Sequence, residues 1–372
     1  MTVEQRWVSS VVLLFSAVAA VGCGLVEDSP SRLGADGSQK ASSRQASDGA
    51  PSNGGDSIAI AAVGDTMLGM TPTLPSEPAD YFDPVRRGLS GDVVFGNLEG
   101  TLTDVSESPK CGAGSSDCFA FRAPPEFSRA LRAAGFTMMS NANNHSYDYG
   151  QAGQEETVEA LDRAGIAHTG MPEEIEVVRA GGRRIAFVGF ASYANTAPLT
   201  DLDAARELIR RARERAEIVV GAFHAGAEGS DAVHVTGEQE IYLGEDRGNP
   251  EEFAHMAIEA GADLILGSGP HVLRGMEIYR ERLIAYSLGN FCGYANFSLE
   301  GALGQSVILH ATLAGDGRFK AGRLESVRLV DEGQPVPDPE GTGAELVSTL
   351  SSEDFGSTRV RVSPSGRILS PR

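Results

Sequence analysis

From Ser57 onward, apolar runs of strand length alternate with stretches whose apolar positions recur every three or four residues. The runs are "SIAIAAVGD", "RRIAFVGF", "EIVVGAFH", "ADLILGSG" and "RLIAYSLGN". Strands so continuously apolar are suited to burial on both faces. Between them, "PEFSRALRAAG", "AGQEETVEALDRAG", "LDAARELIRRARERA" and "PEEFAHMAIEAGA" read as amphipathic helices, several of which stop at a glycine. The pattern predicts an α/β domain whose sheets carry helices on their outer faces. Further on, "SVILHATLAGDGRFKAGRLESVRLV" predicts an antiparallel hairpin that turns at Gly315, Asp316 and Gly317. No internal repeat and no second linker interrupts this stretch, so residues 57–372 are read as one domain with a C-terminal β extension.

The first 56 residues follow different rules. Arg6 precedes an apolar run from Trp7 to Val21 that closes on the small residues "AVGC", the layout of an export signal. The run is short for a span of about 20 apolar residues. "AVGC" resembles the cleavage box of bacterial lipoproteins, which implies that residues 1–23 are a signal segment and that Cys23 carries a lipid. An uncleaved N-terminal anchor is the alternative. Residues 24–56 contain almost no large apolar side chain and read as a flexible Ser/Gly/Asp-rich tether.

Charge narrows the partners. With 51 acidic against 31 basic residues and a formal charge of -20, the chain would be repelled by nucleic acid and by anionic lipid. A polyanionic substrate would need a local cation. Cys111 and Cys118 flank "GAGSSD" in a flexible loop, and an exported chain meets an oxidising compartment, so a local disulfide is expected. Cys292 reads as a small core residue.

In open α/β sheets ligands bind beyond the carboxyl ends of the strands. Those positions are strongly polar here: Asp65; Asn97 and Glu99; Asn143, Asn144 and His145 in "SNANNHSYDYG"; His224 with Glu228 behind it; and His271. Taken singly, such residues read as turn formers or helix caps, because Ser, Asn and Asp bond their own backbone. Taken together, strand ends that each deliver an oxygen or nitrogen donor point to a metal site. Imidazole and carboxylate without thiolate suit zinc, iron or manganese.

The ordered series "VGDTMLG", "FGNLEGTLTD", "SNANNHSYDYG", "AFHAGAEG", "GADLILGSGPHVLRG" and "LIAYSLGNF" resembles the CapA family, associated with bacterial poly-gamma-glutamate capsule synthesis. The resemblance covers about Ile58 to Leu313. It implies a fold like the calcineurin-type metallophosphoesterases, in which helices flank two packed mixed sheets. It also implies one or two divalent metal ions, held by Asp65, by Asn97 or Glu99 as the bridging residue, and by Asn144, His224 and His271. His145 would donate a proton to the leaving group, and a metal-bound hydroxide would attack. Asn143, Asp148, Glu228, His234, Ser268, Arg274 and Asn290 are candidates for supporting the ligands or meeting substrate. Asp148 either orients His145 or shapes its turn, and Arg274 either meets an anionic substrate or pairs with a surface acid.

Two departures stand out. Met67 occupies a position where phosphoesterases carry histidine, and Ser268 one where relatives often do, so the site has fewer strong ligands. The function implied is metal-dependent hydrolysis on an anionic cell-surface polymer such as poly-gamma-glutamate, by an exported, membrane-anchored lipoprotein in a capsule-synthesis complex. The alternative is a non-catalytic accessory or polymer-binding module with a partly degraded metal site. "GSGPHVLRG" lacks the Gly-Lys-Ser/Thr end of a phosphate-binding loop, and no nucleophile elbow surrounds Ser287. His168, His255 and His310 read as structural.

Overall fold

Side-chain alternation along the strand Ser57–Met67 sorts the layers of the structure. This is a computed structural model that describes residues 57–111 and 118–369; the signal segment, Cys23 and the tether lie outside them. Ile58, Ile60 and Ala62 enter one apolar cluster, and Ala61 and Val63 enter another, as a side-chain period of two requires. The strand Arg183–Ala191 behaves in the same way. Its Ile185 and Phe187 share the cluster of Ile58, whereas Ala186, Val188 and Phe190 face a third. The shared cluster is therefore the seam between two sheets, and Phe95 stacks on Phe187 across it with ring centroids 6.2 Å apart.

The two outer clusters are closed by helices. Leu131 and Ala134 of Ser128–Ala134 and Leu161 of Gly150–Ala164 cover one sheet. Ala205, Leu208 and Ile209 of Leu202–Arg215 and Phe253 of Pro250–Ala260 cover the other. The four layers that the resemblance implied are present. Local chemistry sets the helix ends: Asp201 accepts from the Ala204 amide at 3.0 Å, Asn249 caps Pro250–Ala260, and Gly135 and Gly165 close their helices in the left-handed region.

One sheet runs Arg361–Val362, Arg367–Leu369, Phe319–Val330, Gln305–Ala314, Ser57–Met67, Val93–Leu98, Met138–Ser140 and Ala167–Thr169. Its last four strands are parallel, and the expected C-terminal hairpin is antiparallel. The other runs Met276–Tyr279, Arg282–Ala285, Leu264–Ser268, Ile218–His224, Arg183–Ala191 and Glu176–Ala180, with parallel central strands between antiparallel edges.

Two expectations need revision. "RLIAYSLGN" is not one strand: pairing in the second sheet ends at Ala285, and Asn290–Gly293 joins the first sheet beside Ser57–Met67. The chain crosses between sheets over Tyr286 to Gly289. The helix Thr342–Asp354 was not anticipated, because its Gly, Ser and Thr content hides the apolar stripe that packs Ala344 and Val347 on the seam.

The seam yields a stability test. Phe187→Ala removes a fully buried ring and is expected to cost about 3–5 kcal/mol, read as a lower midpoint in chemical denaturation.

Candidate metal centre

Both sheets point the carboxyl ends of their parallel strands at one place. Asp65 stands in register with Asn97 on one side and with Asn290 on the other. The fit is close, since a Cβ added at Gly64 would lie 1.9 Å from the Gly289 carbonyl oxygen. The Asp65 amide donates to that same carbonyl at 2.9 Å. From the second sheet, His224 ends Ile218–His224 and is paired with Ser268. Three residues on, His271 adopts a φ of 61°, a left-handed conformation uncommon for a residue with a side chain.

The result is a buried floor. Asp65, Glu99 and His271 each offer a ligand atom, all within 4.8 Å of one another. His224 borders this triad, with Nδ1 3.8 Å from Asp65 Oδ1 and Nε2 3.9 Å from Glu99 Oε1. Asn97 Nδ2 donates to Asp65 Oδ1 at 2.8 Å, and Asn143 Nδ2 donates to Asn97 Oδ1 at 3.2 Å. A cleft of about 370 Å³ opens above, with Glu99, His145, Glu228, His271 and Asn290 in its lining.

The donor set can be tested for metal through its unmet valences. Asp65 Oδ2, both carboxylate oxygens of Glu99, Asn144 Oδ1 and His224 Nε2 are buried without a hydrogen-bond partner. Burying such groups unpaired is costly, and a cation offsets that cost. Asn290 accepts from His271 Nδ1 at 2.8 Å, which leaves the 3.4 Å approach of that nitrogen to Asp65 Oδ2 as a purely electrostatic contact. His271 Nε2 is then directed to Glu99 Oε1 at 3.5 Å and Glu228 Oε2 at 3.7 Å. Metal-binding histidines commonly donate their other ring nitrogen to an oxygen acceptor, and the Asn290 side-chain oxygen takes that place here. These residues fit a divalent cation.

Electrostatics agree. Burial disfavours charge on His224 and, helped by the nearby His271, pushes it down to about 3, so the ring stays neutral and able to bind metal. Burial also opposes charge on His271, but Glu99, Asp65 and Glu228 outweigh it and raise the ring to about 10. For Asp65 burial again acts upward, yet the close approach and charge of His271 bring its carboxyl below the ordinary value. Burial holds Glu99 well above its ordinary value, with Asp65, Glu228 and Asp148 adding to the effect. His271 must therefore lose a proton before it can coordinate. Metal affinity is expected to weaken about tenfold per pH unit on acidification for each proton displaced, read by metal titration at pH 6 and pH 8.

His145 overlooks the floor. Its Nδ1 lies 2.7 Å from Asp148 Oδ2, and its amide donates to Asn143 Oδ1 at 3.0 Å. Burial lowers its pKa, and Asp148 opposes the shift. Asp148 thus bonds the ring, the contact that the first of its two sequence readings requires.

Other candidates lie elsewhere. Arg274 is buried in a bidentate pair with Glu240 at 2.7 Å and also donates to the Ala232 carbonyl, so it braces the loop that carries Glu228 and turns no face to a substrate. His234 is drawn away to Asp354 at 2.9 Å. Ser268 Oγ donates to the Phe223 carbonyl, and Met67 Sδ accepts from Asn296. Neither belongs to the triad. His168, His255 and His310 pair with Glu174, Glu277 and Glu325. Cys292 is a buried free thiol, and Cys111 is joined to Cys118.

Two residues escaped the sequence reading. Arg247, just after the two-residue strand Glu245–Asp246 in a polar stretch with no apolar run to announce it, donates to Glu228 Oε1 at 2.8 Å while its guanidinium lies over the rings of Tyr193 and Tyr242. Lys110 sits beside Asp148 at 2.6 Å. Neither position carries a periodic signal.

A family model described as bacterial capsule synthesis protein PGA_cap matches residues 59–294, which hold every member of this floor. The chain belongs to that family. Among individual proteins, the capsule biosynthesis protein CapA of Bacillus anthracis is 29% identical over 258 residues, covering 63% of this chain and 59% of the relative. The PGA biosynthesis protein CapA of Bacillus subtilis is 27% identical over 308 residues, covering 76% of this chain and 74% of the relative. The chain therefore spans less than two thirds of the first PGA_cap relative and about three quarters of the second. Of solved structures, a 5′-nucleotidase precursor from Thermus thermophilus aligns over 80% of this chain and 59% of its own at 13% identity and a TM-score of 0.40.

Proposed function

We propose that this chain is a metal-dependent hydrolase acting on an anionic cell-surface polymer, poly-gamma-glutamate in the first instance, during capsule synthesis. The observation that carries the reading is the convergence of Asp65, Glu99 and His271, with unpaired buried carboxylate oxygens among them, in a cleft that the oriented imidazole of His145 also lines. Membership of a capsule-synthesis family supports the polymer assignment.

Asp65, Glu99 and His271, with His224 at their border, would hold a divalent cation, which when bound would supply Lewis acidity toward the scissile group and toward water. The rest falls to the chain's own residues. Asn97 fixes the Asp65 carboxylate, and Asn290 fixes the His271 ring. His145, aligned by Asp148, hands a proton to the departing group. Burial lowers its pKa, so the ring carries its extra proton mainly at acid pH and gives that proton up readily. In a chain of charge -20 the cation would also be what allows an anionic substrate to approach. The reading further places the protein outside the cytoplasm, held to the envelope through Cys23, in contact with membrane partners of polymer synthesis. The Cys111–Cys118 disulfide supports export.

Purified protein should release fragments from poly-gamma-glutamate or cleave a generic phosphodiester with added manganese, and should lose that activity to chelator. No cleavage of either class with any divalent cation would overturn the hydrolase reading. Labelling with an alkyne fatty acid that persists in Cys23→Ser would overturn the anchor. A polymer-binding module is the second reading, favoured by Met67 and Ser268, whose polar atoms turn to other partners; polymer binding indifferent to chelator would establish it.

A further inference from the structure

Behind His145 the site is not built from strand ends at all. Lys110 Nζ lies 2.6 Å from Asp148 Oδ1, 2.9 Å from the Asn144 carbonyl oxygen and 3.2 Å from His145 Nδ1. Asp148 is fully buried, and its other oxygen accepts from His145 Nδ1 and from the Phe121 amide, each at 2.7 Å. Its backbone carbonyl accepts from Ser108 Oγ at 2.6 Å. The Phe121 ring packs 4.3 Å from the imidazole. Ser108, Lys110 and Phe121 all lie within three residues of Cys111 or Cys118, whose Cα atoms the disulfide holds 5.6 Å apart. The disulfide therefore gathers, on two short arms, the groups that grip the orienting carboxylate from behind.

A lysine side chain has many rotamers to lose when it is held in one place. It holds a fixed position here because the backbone on its C-terminal side is pinned. Without Lys110, Asp148 Oδ1 would lose its cation and the carboxylate would be held through its other oxygen alone, loosening its orientation and that of the His145 ring. Without the disulfide, both arms would lose their common anchor.

We propose that Lys110 is a positioning residue, fixed by the Cys111–Cys118 disulfide, that holds Asp148 and through it His145, so that the site is fully assembled only in the oxidised protein. The hydrolase reading is needed only for the kinetic arm of the test.

The full chain is compared oxidised, reduced with dithiothreitol, and reoxidised, alongside Lys110→Met and Lys110→Arg. The first readout is the rate at which diethyl pyrocarbonate modifies His145, followed by peptide mass spectrometry with surface-exposed His234 as internal reference. The rate at His145 should rise several-fold on reduction and in Lys110→Met, return on reoxidation, and stay near the parent value in Lys110→Arg, while the rate at His234 holds steady. The second readout is turnover with metal: kcat should fall by roughly 10- to 100-fold in the reduced protein and in Lys110→Met, with KM and metal content unchanged. Equal His145 modification in the oxidised, reduced and Lys110→Met proteins would overturn the proposal. Absence of turnover in every form would count against the hydrolase reading and leave the modification rates to decide this one.

Discussion

His145→Ala is expected to lower kcat by about 10²–10⁴-fold while bound metal stays at the parent level. The two effects separate because of where the ring stands. His145 lines the cleft and bonds Asp148, but it contributes no atom to the Asp65, Glu99 and His271 triad. On the hydrolase proposal, removing it takes away a proton donor and leaves the floor intact. Asn143, whose Oδ1 accepts the His145 amide, also donates to Asn97 and to the Leu98 carbonyl, so the turn itself is held by bonds the substitution does not touch. Parallel kinetics and elemental analysis of the parent and the variant would check this. An equal loss of metal and turnover would mean that the ring acts through the floor.

The second large effect concerns affinity. Glu99→Gln should weaken divalent metal binding by more than about 100-fold, whereas Asn290→Ala should weaken it by about 10–100-fold. Glu99 has both carboxylate oxygens buried without a hydrogen-bond partner, and among the described residues only the His271 and His224 rings approach them, so a bound cation would be the first group to satisfy them directly. Asn290 acts one step back, by accepting from His271 Nδ1 and aiming Nε2 toward Glu99 and Glu228. Its loss would leave the ligand in place but free to rotate. Metal titration of both variants at one pH gives the order. Equal affinities in parent and Glu99→Gln would show that the carboxylate is structural.

The strand ends were legible because burial on both faces forces continuous apolar runs, and the polar residue that ends each run is then conspicuous. Asp65, Glu99, His224 and His271 were found in this way, and the structure brings all four to one floor. Asp148 was visible but ambiguous, since an aspartate in a turn and one orienting a ring leave the same mark on a sequence. Lys110 and Arg247 were not legible, because each acts across a fold that joins it to Asp148 or Glu228 from an irregular segment. Arg274 and His234 misled for the opposite reason. Both follow motif residues closely, but the chain turns after His271 and after Glu228, leaving one inside a pair with Glu240 and the other on Asp354. The crossing after Ala285 was hidden by its own apolar character, which suits either sheet.

Crystals soaked in manganese and measured near its absorption edge would show directly whether these donors share an ion. The expected result is an anomalous peak within coordination distance of Asp65, Glu99 and His271, absent in crystals of Glu99→Gln. A map with no peak there, or with manganese bound only at the acidic surface, would contradict the metal centre and with it the hydrolytic role.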